Sequence, residues 1–528
     1  MFARGALVWK QEHTGASRLG LLAWALEKLA LAAFVATILL LGFWRPIPLN
    51  WFSQSWTIGS QYRLVTVFNT KFQQIILYPG DLAAAATIIL WGLGRVVAGV
   101  AHQEHAPLRL GPRYVTLPLI GLAAVAALSA TQADLAILSL EMALHLLLLA
   151  ALVIAISNLR PPLWAVVAPL ALLLVIEGAL SLAQTWAQST LLSQFLLNWK
   201  HNAAPNLANS SVVQLPNGTR WLRAYGTFPH PNILGGFLCL AIPIIAGAYL
   251  RLGRRSVSAW LLLASLGLGL LALLLSFSRA AWLGVFISAL WAGLLLWQKA
   301  SANKFAAKGL QPRRRLSRLL PLTNTPNTTS QPAARVSSWR NALSGEFIRR
   351  NSRPILLGLL GIGLLVGLVA ALGPALQSRL LLDQSPLEQR SLSERDTLLA
   401  AGAVFFIQHP WLGVGAGNMP LVELSYPPTR NIGESTHNVP IVVAVETGLF
   451  GLLLWLIPPI GALWAAWRRR AVLSAAGLAA SAALIALLTA AQLDHYLWTE
   501  PTGSLIWWLA VALAALWSEA GSSASHTA

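Results

Sequence analysis

Five short stretches of this 528-residue chain set polar and charged side chains hard against long apolar runs. RWLRAYGTFPHPN holds Arg223, His230 and Asn232, and SFSRAAW holds Arg279. RSLSERD holds Arg390 and Arg395, STHNVPIVVAVETG holds His437, Asn438 and Glu446, and DHYLWTEP holds Asp494. Arginine forks bind phosphate oxygens in pairs and stay charged at any working pH. A neutral histidine can take a proton from an attacking hydroxyl. A diphosphate leaving group stabilised by arginines needs no metal. The set therefore suits an anionic, lipid-attached substrate, with Arg223, Arg279, Arg390 or Arg395, and His437 as the residues placed to meet it. Each member has a bland local alternative. Proline, asparagine and histidine are ordinary residues at the start of a helix, and His230 is read here as structural. A lone arginine at a membrane boundary snorkels. Glu446 lies about 13 Å into a helix that starts near His437, where an interhelical hydrogen bond competes with a catalytic role.

The elements that must carry these residues are membrane spans. The chain is 56% hydrophobic and 10% charged, with mean hydropathy +0.63. Apolar runs of bilayer-spanning length recur along most of it. The reading is an all-α polytopic membrane protein of about twelve spans, with external loops carrying the active site. The spans are expected near 26–44, 77–98, 114–132, 135–157, 163–186, 232–250, 257–276, 281–297, 355–373, 438–465, 472–491 and 502–517. The basic N-terminus and first apolar run resemble a signal peptide, but no small-residue cleavage site follows, so an uncleaved first span is expected. With twelve spans, 26 of the 37 Lys and Arg residues fall on the side of the termini and 11 on the other. Basic loops stay in the cytoplasm, so the termini and the basic insert 298–354 are expected there, and loops 45–76, 187–231 and 374–437 outside. Topology accounts for the net charge of +19, and no nucleic-acid partner is inferred. One cysteine, Cys239, excludes an internal disulfide and a cysteine metal site. With no P-loop, HExxH or CxxC motif, a nucleotide-driven pump and a zinc hydrolase lack support.

The segments run in order: a cytoplasmic N-terminus, 1–25; spans one to five with two external loops, 26–231; spans six to eight, 232–297; the basic insert, 298–354; a core with the large external loop and the last four spans, 355–517; and a tail, 518–528.

Taken in series, RAYGTFPHPNILGGF, SFSRAAW, the arginine-bearing RSLSERDTLLAAGAVFFIQHPWLGVGAGN, STHNVPIVVAVETGLFG and DHYLWTEP resemble the O-antigen ligase and polymerase superfamily of bacterial envelopes. The resemblance covers roughly residues 220 to 500. It implies transfer of a glycan from an undecaprenyl-diphosphate carrier to an acceptor hydroxyl at the outer face of the bacterial inner membrane, without cofactor or metal. His437 would be the base. Arg223 and Arg279 would hold the diphosphate, with Arg395 lining the same cavity and Arg390 competing for that place. His230, Asn232, Asn438, Glu446 and Asp494 would support them. Gly413, Gly415 and Gly417 would let the loop re-enter tightly. The implied partners are a lipid-linked glycan donor, a glycan or glycolipid acceptor, and the bilayer. A polymerase of the same superfamily is the near alternative. A transporter of the same lipid-linked glycan is the distant one, and the one-sided gathering of polar residues speaks against it.

Overall fold

The computed structural model describes residues 18–43, 47–48, 76–102, 107–190, 203–207, 210–215, 217–252, 256–307, 373, 386–429 and 435–519. Apolar runs fold as helices because nothing in a bilayer core can satisfy backbone groups except the helix itself. In chain order these are α1 (Arg18–Leu39), α2 (Pro79–Val100), α3 (Arg113–Ser129), α4 (Ala136–Leu159), α5 (Trp164–Ala187), α6 (Pro231–Arg251), α7 (Val257–Leu275) and α8 (Arg279–Ala307). They continue as α9 (Pro386–Gln408), α10 (Met419–Ser425), α11 (Val439–Arg468), α12 (Ala475–Ala491), α13 (Tyr496–Thr499) and α14 (Pro501–Glu519).

Among the described residues, nine helices are long and apolar enough to cross a membrane, and α3 and α12 are shorter apolar helices. These eleven coincide with expected spans. The remaining expected span, 355–373, lies outside the described residues except for its last one, as does the insert 298–354 beyond Ala307. Two boundaries differ. α1 begins at Arg18, ahead of the expected 26, and α8 runs on to Ala307, past the expected 297. The α1 extension, RLGLLAWA, is itself apolar apart from Arg18, and the α8 extension, QKASANKFAA, is mixed sequence in which helical hydrogen bonding continues once the apolar stretch has set the register. Two short antiparallel ribbons add to the helices. β1 (Ile47–Pro48) pairs with β2 (Ile76–Leu77). β3 (Val212–Gln214) pairs with β4 (Arg220–Leu222), Val213 opposite Trp221.

Helix starts follow familiar capping chemistry. Ser256, Ser474 and Asn438 each accept a backbone N–H three residues on. Proline occupies the first turn of α2, α6 and α11. α14 is buried along almost its whole length, and Trp507 on it stacks on Trp455 of α11, centroids 4.7 Å apart. α6 and α12 pack together and against α14. Leu144, Val257, Leu261, Phe286 and Trp297 lie on the outer surface, the distribution expected where lipid is the solvent.

Contacts between helix ends gather them into two sets. One set is tied by Asn158 to the backbone of Arg109, by Arg469 to the carbonyls of Ser518 and Glu519, and by Lys299 to the carbonyl of Leu473. It carries Arg113, Arg160, Arg251 and Arg468 as well. The opposite set joins the C-terminal ends of α3, α5, α7 and α12 to the N-terminal ends of α4, α6, α8 and α11, and holds the residues considered next.

Candidate active site

The PHPN turn explains itself at α6. His230 caps the helix, its Nδ1 accepting the Asn232 N–H at 3.1 Å. That fixes the proton on Nε2, which donates to Ser211 Oγ at 2.7 Å. Loss of water, then the neighbouring Arg223, pushes the His230 pKa down to about 3, so this imidazole is neutral at physiological pH. Upstream, the backbone is held by α5. Gln184 accepts from the N–H groups of Tyr225 and Gly226 and donates to the Gly226 carbonyl. Glu177, fully buried, accepts the Thr227 N–H at 2.9 Å and the Thr227 hydroxyl at 2.6 Å.

This anchored segment delivers Arg223. The guanidinium is buried and donates from Nε to the Ser276 carbonyl at 2.9 Å and from a terminal nitrogen to Asn232 Oδ1 at 2.5 Å. Ser276 precedes the turn that starts α8 at Arg279, so Arg223 and Arg279 belong to one corner. Asn232 continues the chain of bonds, donating to Asp494 Oδ2 at 2.5 Å. Asp494 also accepts the N–H of His495. Burial would raise the Asp494 pKa, but the neighbouring His495 and His437, with the hydrogen bond from the His495 backbone, outweigh it and hold the carboxyl below its ordinary range.

His437 sits beside this group. Its ring meets that of His495 edge to face, centroids 5.1 Å apart. Ligating atoms of His437, Asp494 and His495 all lie within 4.8 Å of one another, a gathering of two imidazoles and a carboxylate from two segments far apart in the sequence. The neighbour Asn438 caps α11 and donates to the Gln492 carbonyl at 3.1 Å. Thr436 donates to the Leu398 carbonyl at 2.8 Å. Leu398 lies one turn beyond Arg395 on α9, so the partly buried Arg395 is on the stretch of helix that meets the His437 segment. Arg390 is different. It is 73% exposed and pairs with Glu394 at 2.7 Å, pointing its charge along its own helix.

Glu446 lies deeper, on α11. It is buried, and accepts from Gly417 N–H at 2.8 Å, Met419 N–H at 3.4 Å and Trp498 Nε1 at 2.7 Å. All three partners are donors, two from the backbone at the end of the glycine loop and one from DHYLWTEP. The loop itself re-enters as expected, with Gly413, Gly415 and Gly417 all at positive φ. It lies against a break in α11, where Gly448 takes φ 67 and ψ −168. There Val414 and Gly415 donate to the carbonyls of Val445 and Glu446, and Leu449 donates to Pro410. A Cβ on Gly448 would lie 2.1 Å from the Trp411 carbonyl oxygen, so only glycine fits. Asn418 closes the loop against the α3–α4 turn, accepting the Leu135 N–H at 2.8 Å.

The fold thus brings Arg223, Arg279, His230, Asn232, Asp494, His437 and Asn438 to one set of helix ends, adds Arg395 through the α9 contact, and leaves Arg390 on an exposed face. Sequence reasoning did not single out Glu177, Gln184, Ser211, His495 or Trp498. Glu177 and Gln184 carried a usable signal: two polar residues two turns apart in an otherwise apolar span.

Such an arrangement can hold an anion between arginines while an adjacent imidazole takes a proton. A family model described as O-antigen ligase matches residues 333–456, which include Arg390, Arg395, His437 and Glu446. No curated protein matches the chain.

Proposed function

We propose that this multi-pass membrane protein, of the O-antigen ligase superfamily by its match over 333–456, moves a glycan from an undecaprenyl-diphosphate carrier to an acceptor hydroxyl, in the manner of a ligase. The observation that carries the reading is the placing of His437 beside Asp494 and His495 at the helix ends that also hold the Arg223–Asn232 chain. His437 takes the proton as the acceptor oxygen attacks the anomeric carbon. The bond from that carbon to the diphosphate breaks, and the electron pair leaves with the lipid diphosphate. Arg279 and Arg395 bind the leaving group, whose charge grows in the transition state. Arg223, with its Nε and one terminal nitrogen already engaged, adds positive potential and fixes Asn232, which in turn fixes Asp494. Asn438 and Glu446 hold the base and the loop in register.

The basic residues at the opposite helix ends support an orientation with the termini in the cytoplasm and this site outside, in the inner membrane of a bacterium. The test is reconstitution with a lipid-diphosphate glycan and two acceptors, a glycolipid core and a second lipid-linked repeat. Transfer to the core supports the ligase. Chain growth on the carrier identifies a polymerase instead, and no release from the carrier with either overturns the reading.

A further inference from the structure

We propose that His437, Asp494 and His495 form a binding site for a divalent transition metal of the zinc type, and that its occupation switches transfer off. The inference rests on the assignment of His437 as base, because ligation takes the lone pair that would accept the proton.

Three protein ligands, two imidazole nitrogens and a carboxylate oxygen, with an open fourth position are a common zinc arrangement. Here the three candidate ligand atoms lie within 4.8 Å of one another. Tetrahedral coordination with bonds of about 2.0–2.2 Å needs ligand atoms roughly 3.4 Å apart, so closure requires movement of at most about 1.4 Å, within reach of rotating the two half-buried rings. The least mobile ligand is already fixed: Asp494 is buried and held by Asn232 Nδ2 and by the N–H of His495. Each of these bonds leaves its carboxylate oxygen a second lone pair.

The orientation of His495 also fits. Its Nδ1 lies 2.7 Å from Thr499 Oγ1, and that hydroxyl is within 3.3 Å of the His495 carbonyl, to which it donates. The hydroxyl oxygen then accepts from Nδ1–H, which leaves the lone pair on Nε2. Hydrogen bonding of the far ring nitrogen is what orients a metal-binding histidine. The donor set also selects the metal. Two imidazoles suit zinc, copper, nickel and cobalt. One carboxylate does not suit magnesium or calcium, which take mostly oxygen ligands.

The experiment uses the untagged full-length protein in lipid nanodiscs. Zn2+ binding is measured by calorimetry and, with Co2+ as probe, by the visible absorption of four-coordinate cobalt. Transfer is measured in parallel, each variant against its own metal-free rate. Wild type should bind one Zn2+, lose more than tenfold of its transfer at saturation, and recover on chelation, while Mg2+ and Ca2+ have no effect. His495→Ala should weaken Zn2+ binding and inhibition together by at least tenfold. His495→Gln, which keeps a polar partner for Thr499, should behave the same way and guards against a folding defect in the alanine variant. Wild type that binds no Zn2+, or binds it equally well in both variants, overturns the site and leaves the proposed transferase standing. Zn2+ bound through His495 with transfer unimpaired or stimulated overturns the switch and the assignment of His437 as base.

Discussion

Glu446 Oε2 accepts a hydrogen bond from Trp498 Nε1 at 2.7 Å, joining residues 52 apart in the sequence. The same carboxylate accepts from the backbone of Gly417 and Met419. One side chain therefore sets the glycine loop, the helix that begins beside His437, and the segment that carries Asp494 and His495 relative to each other. Removing the acceptor strands buried donors, each at about 1–3 kcal/mol. Glu446→Ala should lower the unfolding temperature in detergent clearly, while Glu446→Gln, which keeps one acceptor oxygen, should lower it much less. Equal melting of the two variants would show that hydrogen bonding at this position does not hold the fold.

His437→Ala should reduce transfer at least tenfold, the lower range being set by the 10²–10⁴ typical of a general base, with binding of the lipid-linked donor retained. The capping of α11 stays intact, since Asn438 supplies it. Retention of more than a tenth of the wild-type rate would remove His437 from the mechanism.

The two arginines of α9 should separate cleanly. Arg390 is 73% exposed and paired with Glu394, and exposed pairs contribute about 0–1 kcal/mol. Arg390→Ala should leave transfer within about twofold of wild type. Arg395→Ala should lose tenfold or more, and Arg279→Lys should also lose activity because an ammonium cannot replace the fork. Parallel rate measurements with a fixed donor concentration decide it, and a deficit confined to Arg390 would reverse the two roles.

His230 gives a pH signature. Its pKa is pushed from the ordinary 6.5 to about 3 in the folded protein, by loss of water first and by Arg223 next. Below pH 6.5 the unfolded chain takes up a proton that the folded chain refuses. This group's contribution to stability is therefore complete above pH 6.5 and is lost as the pH falls towards 3. Unfolding temperatures between pH 7 and pH 4 should decline, and His230→Gln should flatten that decline. An unchanged slope would assign the acid sensitivity to other groups.

Orientation is open to direct labelling. In a Cys239→Ala background, a cysteine at the exposed Asn217, in the β3–β4 turn, should react with an impermeant thiol reagent added outside the cell. One at Val472, 69% exposed at the opposite helix ends, should react only after the membrane is opened. The reverse pattern would invert the protein.

The helices were legible because a bilayer forces a long apolar run into one shape, whatever its details. The GVGAGN re-entry was legible too, since glycine spacing is a local signal of positive φ. The break at Gly448 was not, because VETGLFG reads as uninterrupted helix and the cause lies in the segment from Pro410 to Gly415. Similarly, Glu177 and Gln184 stand out as polar residues in α5, but their partners, Thr227 and Gly226, come from a loop 50 and 42 residues away. The site's charged members could be named from their types. Which of them touch could not, as the contact between His437 and His495 depends on how α11 and the α12–α13 turn meet.

The break in α11 also bears on how the chain is made. At Gly448 the helix frees the carbonyls of Val445 and Glu446 and the N–H of Leu449, and residues 410 to 415 satisfy all three. In lipid alone those groups would each cost several kcal/mol. The segment that satisfies them is synthesised first, so it leaves the ribosome ahead of the helix that needs it. α11 is consequently a poor candidate for independent release into the bilayer as it emerges. Its lateral exit is coupled to docking of the preceding loop, which makes the order of translation part of the route by which this half of the protein is assembled.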